Sequence, residues 1–251
     1  MKAKIGLIPG IIREEVQADL WGTLERAAEI GYQGLEGGNV LAGDIEGNRK
    51  RLDDIGLQAI AIGAQKEQLA EDIGKLIDDA SALGTAAIVL YHAPMKTRDD
   101  VMADADLFDT AGEKIAKAGL KFCYHNHDHE FKNVFDGQHA IDILLENTDP
   151  EHVYWELDAA WVLYGGEDPI EYLKRYTGRI PLMHLKDLAD INERGKFCAV
   201  GTGVLDVRGV VETSVETGVD WAIVEQDRAL NLTPMESVTA SFLNIKELGL
   251  V

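Results

Sequence analysis

The chain has 251 residues, enough for one large domain or two small ones around a substantial core. Lys and Arg number 24 against 44 Asp and Glu, a formal net charge of −20; this argues against nucleic acid or an anionic membrane as partner, because such binding draws on clustered basic residues. No apolar run reaches membrane-spanning length, Met1-Lys2-Ala3-Lys4 leads directly into Ile5-Gly6-Leu7-Ile8 without a basic-then-apolar leader, and Cys123 and Cys198 are too few for a disulfide scaffold. A soluble, cytoplasmic protein acting on a neutral small molecule is expected.

In chain order, a strand is expected over residues 4–8, then an amphipathic helix over 14–30 with apolar Val16, Leu20, Leu24, Ala27 and Ala28 on one face. Gly31 stops it, and residues 32–36 read as a second strand ending in Glu36. A weak helix over 45–55, a strand over 57–62, a helix over 69–83 and an almost wholly apolar strand over 86–92 follow, the last ending in His92. After a helix over 101–118 and Gly119, a fifth strand carries Phe122-Cys123-Tyr124 into His125-Asn126-His127-Asp128-His129-Glu130. Strand periodicity puts His125 and His127 on one face.

A helix over 138–146 precedes a sixth strand over 153–158, which runs into a loop through Trp161. Asp168-Pro169 opens a helix to residue 176 with N-cap and first-turn proline chemistry. The seventh strand, 180–187, ends in His184, Lys186 and Asp187; a helix near 207–217, an eighth strand over 221–227 and a helix over 234–248 complete the chain. Eight strand–helix alternations with glycine-marked connections, no linker and no shift in composition predict one (β/α)8 barrel over residues 1–251. An open doubly wound sheet lacks its G-x-G-x-x-G after the first strand, and Gly201-Thr202-Gly203 comes late and without the third glycine.

In such a barrel the C-terminal strand ends form one face, so Glu36, His92, His125, His127, Asp158, His184, Lys186 and Glu225 are expected to converge there. A mixed carboxylate and imidazole set suits a divalent ion such as Mn, Zn, Co, Fe or Mg better than Ca. His139 and His152 carry no expected role.

Gly31-Tyr32-Gln33-Gly34-Leu35-Glu36, Tyr124 to Phe131, Glu156-Leu157-Asp158 with Trp161, His184-Leu185-Lys186-Asp187 and Val224-Glu225-Gln226-Asp227 together resemble the sugar phosphate isomerase/epimerase branch of the xylose isomerase-like TIM barrels. The resemblance covers nearly the whole chain. It implies a divalent metal held from the fifth to eighth strands and a carbohydrate or polyol substrate. Position by position, Asp158, His184 and Glu225 match three family metal ligands. The fourth position, a glutamate in many members, is His125 here, with Glu130 as the alternative. In the family's epimerases paired glutamates exchange protons on opposite faces of the substrate; only Glu225 of that pair is present.

The expected reaction is isomerisation or epimerisation of a sugar or keto-polyol through a metal-stabilised enediolate. Glu225 or His127 acts as base, and Lys186 neutralises oxyanion charge or binds a substrate oxygen. Glu36, His92, Glu130 and Asp187 are candidate substrate contacts or braces, Trp161 stacks on the sugar or plugs the mouth, and Asp227 supports a ligand. The alternatives are a lyase acting on a keto-sugar, inosose or 3-keto-glycoside, which starts from the same enediolate, and a non-catalytic sugar-binding or partner subunit. Homo-oligomerisation is left open.

Overall fold

The computed structural model describes residues 2–41 and 43–251; Met1, from which the absence of a leader was read, and Ala42 lie outside the described residues. Eight parallel strands, Ile5–Leu7, Gly34–Glu36, Gln58–Ala64, Ala87–Leu90, Lys121–His125, Val153–Asp158, Leu182–Leu185 and Trp221–Val224, pair in chain order. The first also pairs with the last, Gly6 opposite Ile223, so the sheet closes into the expected (β/α)8 barrel. No described helix is long and apolar enough to cross a membrane.

The helices depart from expectation where an acid interrupts a continuous apolar stripe. The stretch 14–30 forms two helices, Arg13–Ala18 and Leu20–Ile30, because the Asp19 side chain accepts a hydrogen bond from the Gly22 N–H at 3.0 Å and starts the second. Residues 69–83 likewise divide into Lys66–Glu71 and Ile73–Leu83 at Asp72. Residues 138 and 139 are not helical; they pair with Val134–Phe135 in a small hairpin before the helix Ala140–Glu146. The predicted loop after Asp158 is instead the helix Ala159–Gly165, capped by Asp158 itself, which accepts from the Trp161 N–H at 2.9 Å.

Side-chain alternation along the strands builds the interior in tiers. Ala87, Val89, Cys123, Leu182, Trp221 and Ile223 form a buried apolar cluster distinct from the larger one between barrel and helices. Gly34 leaves room for it: a Cβ there would lie 2.8 Å from Ile60 and 2.9 Å from Trp221. Two residues further along each strand the same inward face turns polar. Cys123 leads to His125, Leu182 to His184 and Ile223 to Glu225, and Tyr154, packed on that cluster, leads to Glu156. A third tier holds His127, Asp158, Lys186 and Asp227. The period-two geometry of a strand therefore converts an apolar barrel floor into an ionisable barrel mouth.

Candidate active site

The second tier is a closely packed set of ionisable groups. His125 places Nδ1 at 3.0 Å from Glu156 Oε2, and the two residues are opposite each other in the strand register. His184 is held on both sides: Nδ1 lies 2.8 Å from Glu225 Oε2, and Nε2 lies 2.8 Å from Glu36 Oε2 and 3.3 Å from Glu156 Oε2. Tyr91 donates its hydroxyl to Glu36 Oε1 at 2.7 Å. In the tier above, the buried Lys186 ammonium lies 2.8 Å from Glu225, 3.3 Å from Asp158 and 3.4 Å from Asp227. The same ammonium lies over the rings of Trp161 and Phe197, 5.5 and 4.7 Å from their centroids.

Burial and neighbouring charge set the proton inventory. Burial opposes charge on His184, but the carboxylates of Glu156, Glu36 and Glu225 outweigh it and hold its pKa well above the usual imidazole range. Burial likewise opposes charge on Lys186, and Glu225, Asp158 and Asp227 raise its pKa nonetheless. Glu225, despite burial, is driven well below the carboxylate range by Lys186 and His184. Glu156 moves well upward through burial and the adjacent Glu36. Two neighbouring imidazoles are pushed the other way: burial, with His184 and His127 beside it, depresses His125, and burial with Lys186 nearby lowers His127 to about 3.

His125, Asp158, His184 and Glu225 each offer a ligand atom within 4.8 Å of all the others. Asp158 Oδ2 is buried and accepts no hydrogen bond, although its partner oxygen caps the Ala159–Gly165 helix. Two carboxylates and two imidazoles, one of the oxygens without a hydrogen bond and met only by the Lys186 ammonium, fit a borderline divalent cation. Glu130, the alternative fourth ligand, lies outside this cluster: its oxygens accept from the Tyr124 hydroxyl at 2.5 Å and the His127 N–H at 2.9 Å.

Glu130 braces the His125–His129 turn from beneath, and burial raises its pKa to about 7 from an ordinary 4.5. A native pKa above the unfolded one means that the unfolded chain loses the proton first. The stabilisation from protonated Glu130 is therefore full below pH 4.5 and disappears as pH rises through about 7, roughly 3 kcal/mol in total. The difference in stability between wild type and Glu130→Gln is expected to fall across that window when unfolding is followed in urea. A difference independent of pH contradicts the assignment.

Asp187 is committed to its own loop rather than open to a substrate. Its two oxygens accept from the N–H groups of Leu188, Gly201, Gly203 and Leu205 at 2.9, 3.0, 2.8 and 3.0 Å, which fills the acceptor capacity of a carboxylate. Gly201-Thr202-Gly203 is the other half of that clamp, since a Cβ on Gly203 would sit 2.2 Å from the Leu188 carbonyl oxygen and 2.4 Å from Asp187 Oδ1. Asp187→Ala is expected to lower stability by about 3 kcal/mol. Asp187→Asn should fall between it and wild type in thermal melts, and equal melting of all three would contradict the clamp.

The remaining expected residues ring the mouth. His92 is exposed, its ring 5.7 Å from that of His127 and 5.0 Å from that of His129. Trp161 is buried at 5.6 Å from the His127 ring, with Arg194 over its face at 4.8 Å. Arg194 also forms a two-point ion pair with Asp128 at 2.8 and 3.2 Å, tying the loop after the seventh strand to the one after the fifth. His127 Nδ1, Trp161 Nε1, Asp158 Oδ2 and Glu156 Oε1 are all buried without a hydrogen-bond partner. Unpaired buried polar atoms are uncommon in folded proteins, and their concentration here makes this the candidate site for a ligand.

Glu156 is the site residue that the sequence reading missed. It sits inside an apparently ordinary strand, Tyr154-Trp155-Glu156-Leu157-Asp158, but the same alternation that pairs His125 with His127 puts Glu156 on the inward face with Asp158.

Residues 24–244 match the family model described as the xylose isomerase-like TIM barrel. The chain belongs to this family. Among curated xylose isomerase-like relatives, an inosose dehydratase of Geobacillus kaustophilus is 28% identical, covering 88% of this chain and 83% of that one. A second, from Clostridium botulinum, is 25% identical over 98% of this chain and 97% of its own. Among solved structures, a sugar phosphate isomerase/epimerase from Parabacteroides distasonis superposes with a TM-score of 0.85 at 27% identity, over 98% of this chain and 94% of that one. Proteins named inosose dehydratase and sugar phosphate isomerase/epimerase are thus both similar to this chain.

Proposed function

We propose that the protein is a divalent-metal-dependent lyase that removes water from a keto-polyol of the inosose type. The observation that carries this reading is the end of the fifth strand. Where a paired-carboxylate epimerase needs a second glutamate facing Glu225, this chain has His125, tied by Nδ1 to Glu156. The groups left for proton transfer are unlike one another: an anionic Glu225, a neutral His127 and a protonated Lys186. Elimination needs that asymmetry, a base for the C–H next to the ketone and an acid for the departing hydroxyl, whereas epimerisation needs equivalent groups on two faces. The similarity to inosose dehydratases over nearly the whole chain points the same way.

In this reading His125, Asp158, His184 and Glu225 would hold the ion, which would supply Lewis acidity that makes the C–H beside a carbonyl easier to ionise. Glu225 or His127 takes the proton, and the Lys186 ammonium, at 2.8 Å from Glu225, stabilises the developing oxyanion or protonates the leaving hydroxyl. Glu36 holds His184, and Trp161 and His92 meet substrate hydroxyls at the mouth.

The second reading is isomerisation or epimerisation through the same enediolate, favoured by the Parabacteroides structure at 27% identity. Incubating metal-loaded protein with an inosose in deuterated water separates them. The lyase yields a product lighter by one water; deuterium uptake at the carbon beside the ketone with composition conserved would instead establish isomerisation.

A further inference from the structure

A second compartment lies beside the acid-lined site. A cavity of about 550 Å3 is walled by residues following the first three strands and by Tyr91, a volume within the range of small-molecule sites. Its apolar wall includes Ile8, Val16, Leu20 and Val40. No carboxylate lines it, in a chain with 44 acidic residues. Its one lining cation, Arg13, is exposed and has no ion-pair partner among the described residues. Tyr91 belongs to both compartments: its ring lines the cavity, its hydroxyl bonds Glu36 at 2.7 Å, and it meets the His125 ring edge-on at 5.9 Å.

A bare inosose carries oxygen on every ring carbon and has no apolar surface to fill such walls. Nor does a neutral polyol need a guanidinium that has no ion-pair partner among the described residues and stands at a cavity whose lining includes no carboxylate. We infer that the physiological substrate is a keto-polyol or keto-sugar ring bearing an apolar substituent that ends in an anion. The ring reacts at the acid-lined site; the substituent lies in this cavity past Tyr91, with its anion on Arg13. A guanidinium pairs a carboxylate through two parallel hydrogen bonds, and burial of the apolar body supplies affinity that the polyol ring lacks. The inference rests on the proposed reaction for the ring, and the cavity's part in it is separable.

The test compares an inosose with its 4-carboxybenzyl ether as substrates of metal-loaded protein, and follows binding of 4-methylbenzoate alone by calorimetry. The ether is expected to exceed the inosose in kcat/KM by about 10-fold or more, a difference of about 1.4 kcal/mol. Arg13→Gln should collapse that preference and weaken 4-methylbenzoate by about 10-fold. Val40→Trp, which fills the cavity from its apolar side, should also abolish both, and an unchanged melting temperature shows that either variant is folded. Equal turnover of the two substrates, with no benzoate binding, overturns the inference while leaving the reaction intact. Benzoate binding that depends on Arg13, without turnover of either substrate, upholds the cavity and overturns the reaction instead.

Discussion

Asp158→Asn is expected to lose divalent metal binding by at least about 100-fold and kcat/KM by roughly 10^3-fold, since a Lewis acid contributes several kcal/mol to stabilising charge in the transition state. The choice of asparagine matters because Asp158 has two separate tasks. Oδ1 accepts from the Trp161 N–H and starts the Ala159–Gly165 helix; Oδ2 accepts no hydrogen bond, faces the Lys186 ammonium at 3.3 Å, and is free to serve as a ligand in its place. Asparagine retains a capping oxygen, so the metal-free variant should melt at or above the wild-type temperature, one buried carboxylate having been removed from a crowd of them. Asp158→Ala loses the cap as well, which costs about 1 kcal/mol. Elemental analysis after dialysis, with calorimetric metal titration, provides the measurement. An asparagine variant that binds metal as tightly as wild type excludes the assigned site.

Lys186→Met carries the second large effect, and its sign differs between stability and metal affinity. The ammonium is fully enclosed and neutralises Asp158, Glu225 and Asp227 together. Removing it leaves the buried Asp158 without a counter-charge and Glu225 with His184 alone, Asp227 being exposed, and the metal-free variant is expected to lose about 3 kcal/mol. A divalent ion and Lys186 compete for the same carboxylates, so the variant should bind metal more tightly than wild type and gain more in melting temperature on metal addition. Turnover should nonetheless fall by about 10^2- to 10^4-fold, the range for loss of a positioned proton donor. Wild-type kcat in the metal-saturated variant would rule out a chemical role and leave Lys186 as a charge-balancing residue alone.

Much of the barrel was legible because its signals are local. Glycine stops after amphipathic runs and short apolar strands fix the alternation of elements, and closure follows from their number. The errors lie where one side chain overrides a periodic pattern: Asp19 and Asp158 begin new helices because their carboxylates accept a backbone N–H three residues on. At the site, the family resemblance singled out His125, Asp158, His184 and Glu225 as candidate ligands, and strand-end position brought forward eight residues, Lys186 among them. It also brought forward Asp187, whose side chain is turned into its own loop, a contact made with Gly201 and Gly203 that no local pattern announces. Glu156 was passed over for the opposite reason: its environment comes from His125 and His184 on neighbouring strands, and only the register brings them together.

That register also limits how the family's chemistries can interconvert. Positions 125 and 156 face each other across adjacent strands, with an imidazole on one and a buried carboxylate on the other. A single exchange of His125 for glutamate, the change that would restore a paired-carboxylate arrangement, sets a new acid against Glu156 in a space that already holds Asp158 and Glu36. Like charges directly opposite in a sheet are destabilising, more so when buried. His125→Glu alone is therefore expected to destabilise the fold, and a second change at Glu156 to relieve it, a non-additivity expected of residues in contact. The two positions should therefore change hands together in evolution, and a redesign towards epimerisation has to begin with the pair.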